Sequence, residues 1–111
     1  MTEQRKTVRY STLAKVIVEG VNEGETLLKD ISVIGCRVEC ATLADIKLST
    51  RYKLDIVPEA TAKIDDFELL VEPKWTKASA SSYEIGFVIL ESPKGEQFQR
   101  YVDYLSWRNA Q

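Results

Sequence analysis

The chain has 111 residues, 44% of them hydrophobic and 29% charged, with a net charge of −2. That length supports one domain with a modest core, and that balance excludes a disordered chain. A pI near 5.2 argues against a general DNA or RNA binder, which would present a broad basic face.

The opening MTEQRKTVRY is polar, with no apolar run behind it. No signal peptide or membrane-inserting segment is expected, so a cytoplasmic location follows. Residues 1–9 set Arg5, Lys6 and Arg9 against Glu3, which leaves the rest of the chain acidic. A flexible basic arm over 1–9 therefore precedes a folded domain over 10–111, and a small anionic ligand held at one end fits that asymmetry.

From residue 10 onward a period of two dominates, which predicts strands. The first is YSTLAKVIVE over 10–19, followed by a turn at Asn22-Glu23-Gly24. Two more run over 25–30 and 33–40. The segment 51–57 alternates Tyr52, Leu54 and Ile56 against Arg51, Lys53 and Asp55. Over 66–78, Phe67, Leu69 and Val71 share one face, and Pro73 predicts an edge position or a bulge. A serine-rich turn over 79–82 leads to the last strand, YEIGFVILE over 83–91. The period then lengthens. Phe98, Tyr101, Val102 and Leu105 recur at helical spacing, with Ser92 and Pro93 as N-cap and first helical residue. The helix is expected over about 94–108. Six short strands with turn signals predict a mainly β fold, a small six-stranded antiparallel barrel with a C-terminal α-helix.

Cys36 and Cys40 share a strand face roughly 13 Å apart, too far for a mutual disulfide. The chain has no histidine, so these cysteines make no zinc site and the commonest general base is missing. No nucleophile stands beside a base, so no enzymatic activity and no cofactor are expected.

The spacing Asp30-x-Ser32-x-x-Gly35 is more polar than a plain hairpin needs. Guanine presents O6 and N7 acceptors that an arginine fork matches, as Arg5 or Arg9 would. Its N1–H and N2–H₂ groups suit the carboxylate of Asp30, and Ser32 can donate or accept. Gly35 leaves room where a planar group or the arm approaches the backbone. Arginine also neutralises phosphates and stacks on purines. These residue types suit a guanine nucleotide held without chemistry.

Two motifs carry a resemblance. Arg5-Lys6-Thr7-Val8-Arg9 matches R-x-x-x-R, and Asp30-Ile31-Ser32-Val33-Ile34-Gly35 matches [D/N]-x-S-x-x-G. With YEIGFVILE and its Gly86, the chain resembles the PilZ domain, a bacterial receptor of the second messenger cyclic di-GMP. The resemblance implies a six-stranded barrel whose arginine arm folds over the ligand. Arg5 and Arg9 would grip guanine edges and phosphates, and Asp30 and Ser32 would contact a base. Gly35 would leave space for it. Fuller versions of the first motif carry another arginine where this chain has Gln4. Lys6 adds charge there without a planar fork. Trp75 is a further ligand-flanking candidate, with a core or rim aromatic as its plainer reading.

Other readings stay open. The second motif alone would serve as an Asx-type turn, and the arm as a solubilising tail. Three function classes follow: a cyclic di-GMP receptor that changes shape and signals to a partner protein, a PilZ-like interaction domain without nucleotide, and, least favoured, an enzyme. A chain of this length is expected to carry no output domain, so its signal would pass by docking or a change of oligomer.

Overall fold

A computed structural model describes residues 8–18, 26–41, 46–79, 81–93 and 95–110. Arg5, Gln4, Lys6 and the turn at Asn22-Glu23-Gly24 lie outside them. The strands are β1 (Tyr10–Ser11), β2 (Lys15–Val18), β3 (Thr26–Ile31), β4 (Gly35–Cys40), β5 (Tyr52–Val57), β6 (Phe67–Ala78) and β7 (Tyr83–Glu91), and helix α1 spans Gly95–Asn109. All pairings are antiparallel. The order β3-β2-β5-β6-β7-β4 closes through β4 pairing back onto β3, and β1 adds an extra strand on β3. The expected six-stranded barrel is therefore the observed one. Closure leaves the barrel strands no free edge.

Alternation decides what goes inside. In β4, Cys36, Val38 and Cys40 are buried while Arg37 and Glu39 face outward. Leu54 and Ile56 of β5, Leu69 and Val71 of β6, and Ile85 and Phe87 of β7 complete the core. Each such side chain contributes about 1.5–3 kcal/mol by leaving water. Both cysteines lie inside this core.

The first strand is not continuous, because Thr12 breaks it. Its hydroxyl donates to the carbonyl of Leu28 at 2.6 Å and accepts from the amide of Ala14 at 3.1 Å. The kink leaves Leu13 72% exposed, and β3 carries a matching register shift between Leu28 and Asp30. Pro73 sits at the expected bulge. The ladder between β6 and β7 shifts between Pro73 and Trp75, where a residue without an N–H is tolerated.

Helix α1 packs its Phe98, Tyr101, Val102 and Leu105 stripe inward, with Phe98 and Tyr101 both 5.8 Å from the ring of Phe67. The helix starts at Gly95. Ser92 does not cap it, because its hydroxyl donates to the carbonyl of Glu68 at 2.6 Å. Arg108 ties the far end down, donating to Glu59 at 2.9 Å and to the carbonyl of Ser11 at 2.6 Å. Among the described residues no helix is long and apolar enough to cross a membrane.

Candidate functional site

Strand register builds the site. Ser11 lies opposite Asp30, Asp30 opposite Arg37, Arg37 opposite Gly86, and Gly86 opposite Trp75. These residues form one row across the outer face of four adjacent strands and β1. One step along, Gly35 pairs with Val88. The row borders an open groove of about 520 Å³, lined on the charged side by Arg9, Asp30, Arg37 and Lys74 and elsewhere by Ile34, Gly35, Trp75 and Gly86 among others.

Asp30 is the hub. Arg9 Nη1 donates to Oδ1 at 2.8 Å and Arg37 Nη2 approaches Oδ2 at 3.1 Å. Arg37 also reaches Glu84 Oε1 at 3.6 Å. Its Nε is buried with no hydrogen-bond partner among the described residues. The Asp30 side chain is 16% exposed against 52% for Arg9, so the carboxylate belongs to the barrel wall while the arginine lies over it. Ion pairs this exposed are worth little on their own, about 0–1 kcal/mol. The Arg9 contact is therefore cheap to exchange for another partner.

Gly35 makes that approach possible. A Cβ on it would stand 2.9 Å from the carbonyl oxygen of Phe87 and 3.3 Å from Arg9 Nη2. Gly86 plays the same part for Trp75. The indole ring occupies the space where a Gly86 side chain would be, and Trp75 lines the groove.

Ser32, which the sequence offers as a base contact, has a buried side chain beneath the turn of its own motif. Its hydroxyl accepts from the amides of Ile34 at 3.2 Å and Gly35 at 3.1 Å, and donates to the carbonyl of Gly35 at 3.3 Å. With the Ser32 amide donating to the same carbonyl at 2.8 Å, it closes a two-residue turn of Val33 and Ile34. Ser32 thus shapes the turn that presents Gly35 and Asp30.

Three cations and one carboxylate line this groove in a chain that is acidic as a whole. A second groove of about 440 Å³ offers the opposite field, with Asp55, Asp66 and Glu68 among its walls. An anion is drawn to the first and repelled by the second. Beneath the first, burial pushes the Cys36 thiol up to about 12, with the Asp30 charge adding and Arg9 opposing. Cys36 is an inert core residue, because the thiolate is the reactive form. No cluster of metal-ligating side chains occurs among the described residues.

No family model matches the chain, and no curated protein matches it. A solved structure does. The inhibitor of motility of Bacillus subtilis, MotI/DgrA, superposes with a TM-score of 0.80 at 19% identity. The match covers 98% of this chain and 53% of that one, so the chain spans about half the length of its structural neighbour. At that identity the likeness is one of fold.

Sequence reasoning gathers Arg9, Asp30, Gly35 and Trp75, and the fold brings these four to one groove. It overlooks Arg37 and Lys74. Arg37 stands two residues after Gly35, so strand alternation already places it on the same outer face. Lys74 enters through the bulge after Pro73, which shifts the register by a residue that no local pattern specifies.

Proposed function

We propose that this chain is a PilZ-like module that binds cyclic di-GMP in the groove of Arg9, Asp30 and Trp75 and passes the signal to a partner protein. The observation that carries this reading is the meeting of two motifs 21 residues apart, as Arg9 lies over Gly35 and against Asp30. A guanine edge suits that arrangement. Arginine matches O6 and N7, and a carboxylate with lone pairs to spare accepts from N1–H and N2–H₂. Arg5 and Lys6, on the same arm, add charge for the phosphates. The cationic lining of Arg9, Arg37 and Lys74 favours an anionic ligand.

The likeness in fold to an inhibitor of motility makes control of motility the first output to examine. A PilZ-like domain that signals through protein contacts alone is the alternative, and the Gln4 departure is what favours it. Calorimetric titration of the protein with cyclic di-GMP, using GTP and GMP as controls, separates the two. Saturable binding of the cyclic dinucleotide in preference to both controls is expected, and no heat with any of the three selects the alternative.

A further inference from the structure

We propose that Arg37 is a ligand-contacting residue of this groove, offering the flat face of its guanidinium to a purine base. The inference rests on the guanine-nucleotide reading above and adds to it a residue on the barrel wall rather than on the arm.

Three observations point the same way. First, both terminal nitrogens of Arg37 face carboxylates, Nη2 that of Asp30 at 3.1 Å and Nη1 that of Glu84 at 3.6 Å. Carboxylates on the two flanking strands hold the plane from either side, since Asp30 lies on β3 and Glu84 on β7. A guanidinium pinned by its edge has its faces left for stacking. Second, its cross-strand partner on β7 is Gly86, which has no side chain to cover that face. On the far side of Gly86 the Trp75 ring fills the glycine's space. Third, the side chain is neither buried nor free in solvent. It is 39% exposed and borders the groove, while its Nε is buried without a partner. An orphan donor of that kind is costly and calls for a reason. Fixing the stem so that the guanidinium stays in place at the groove supplies one.

Arg37 therefore differs from Arg9. Arg9 reaches Asp30 from outside the barrel with a side chain 52% exposed, whereas Arg37 is built into the wall between two carboxylates. Binding to a pre-set face costs less ordering than binding to a free side chain.

The test uses calorimetry on the full chain, comparing wild type with Arg37→Lys and Asp30→Ala. Each is titrated with cyclic di-GMP and with cyclic di-IMP, whose hypoxanthine bases lack the N2 amino group. Arg37→Lys keeps the charge and loses the plane. It is expected to bind both ligands roughly fivefold or more weakly than wild type, the low end for a stacked side chain, with the same factor for each. The Asp30→Ala loss should shrink with cyclic di-IMP, because one of its partners is gone. Wild-type affinity in Arg37→Lys overturns the inference and leaves the nucleotide reading standing. A loss that shrinks with cyclic di-IMP in step with Asp30→Ala also overturns it, since Arg37 would then act only by holding Asp30. If wild type binds neither ligand, the nucleotide reading falls and this inference with it. Should Arg37→Lys melt well below wild type, Arg37→Gln, which keeps a planar group, takes its place with the roles reversed: it should retain more affinity than Arg37→Ala.

Discussion

Arg9 and Asp30, 21 residues apart in the chain, meet at 2.8 Å directly over Gly35. Neither residue is fixed by its own strand alone. Asp30 is held by Arg37 from β4, and Arg9 precedes a β1 of two residues whose Ser11 pairs with Asp30. The contact joins the residue before β1 to the barrel wall.

Asp30→Ala removes the carboxylate that both arginines share. Nucleotide affinity should fall by roughly 1–3 kcal/mol, the usual loss when a buried hydrogen-bonding partner is left alone. Melting should change little, since the pairs are partly solvated. Normal binding with a much lower melting temperature would mean that the residue serves the turn.

Ser32→Ala should show the reverse balance. The buried amide of Gly35 loses its acceptor, at a cost of about 1–3 kcal/mol in stability. Urea unfolding measures it. At concentrations where the variant is folded, its affinity for cyclic di-GMP should fall less than that of Asp30→Ala.

Gly86→Ala should destabilise strongly while Trp75 is present, because the new methyl group enters the space of the indole ring. In a Trp75→Ala background the same change should cost much less. Residues in contact couple by about 0.5–3 kcal/mol in such a cycle. Additive losses would separate the ring from the glycine.

These pairs mark the limit of what the sequence discloses. The core was legible because Val38, Leu54, Leu69 and Ile85 follow a period of two, and the α1 stripe because Phe98, Tyr101, Val102 and Leu105 follow helical spacing. The break at Thr12 was not, since it arises from one hydroxyl choosing two backbone partners. Asp30 and Gly35 stood out by their chemistry. Ser32 also stood out, but its hydrogen bonds to the amides of Ile34 and Gly35 depend on how the turn folds and were not legible. The meeting of Trp75 with Gly86 depends on a bulge and a long-range register, which adjacent residues do not encode.

Cys36 gives a pH dependence with a definite sign. Its thiol titrates near 9.0 ordinarily and near 12 in the fold, chiefly through burial. Between those values the unfolded chain holds fewer protons than the folded one, so this group's contribution falls as pH rises from about 9 to 12. Urea midpoints should therefore drop more steeply over that window in wild type than in Cys36→Ala. Parallel slopes would remove the effect.

Arg9→Lys separates geometry from charge. If Arg9 forks onto O6 and N7 of guanine, lysine should lose at least about 1 kcal/mol, the low end for one bidentate pair. Added salt should weaken wild type and variant by similar factors, because both keep the charge. Full affinity in the variant, at two salt concentrations, would limit Arg9 to neutralising phosphate.

The placement of the ligand is the central claim, and backbone amide shifts of isotope-labelled protein titrated with cyclic di-GMP test it most directly. The largest changes should fall on Arg9, Asp30, Gly35, Arg37, Trp75 and Gly86, with little change around Asp55, Asp66 and Glu68 in the acidic groove. Shifts centred on that acidic groove or on α1, or none at all at saturating ligand, would contradict the account.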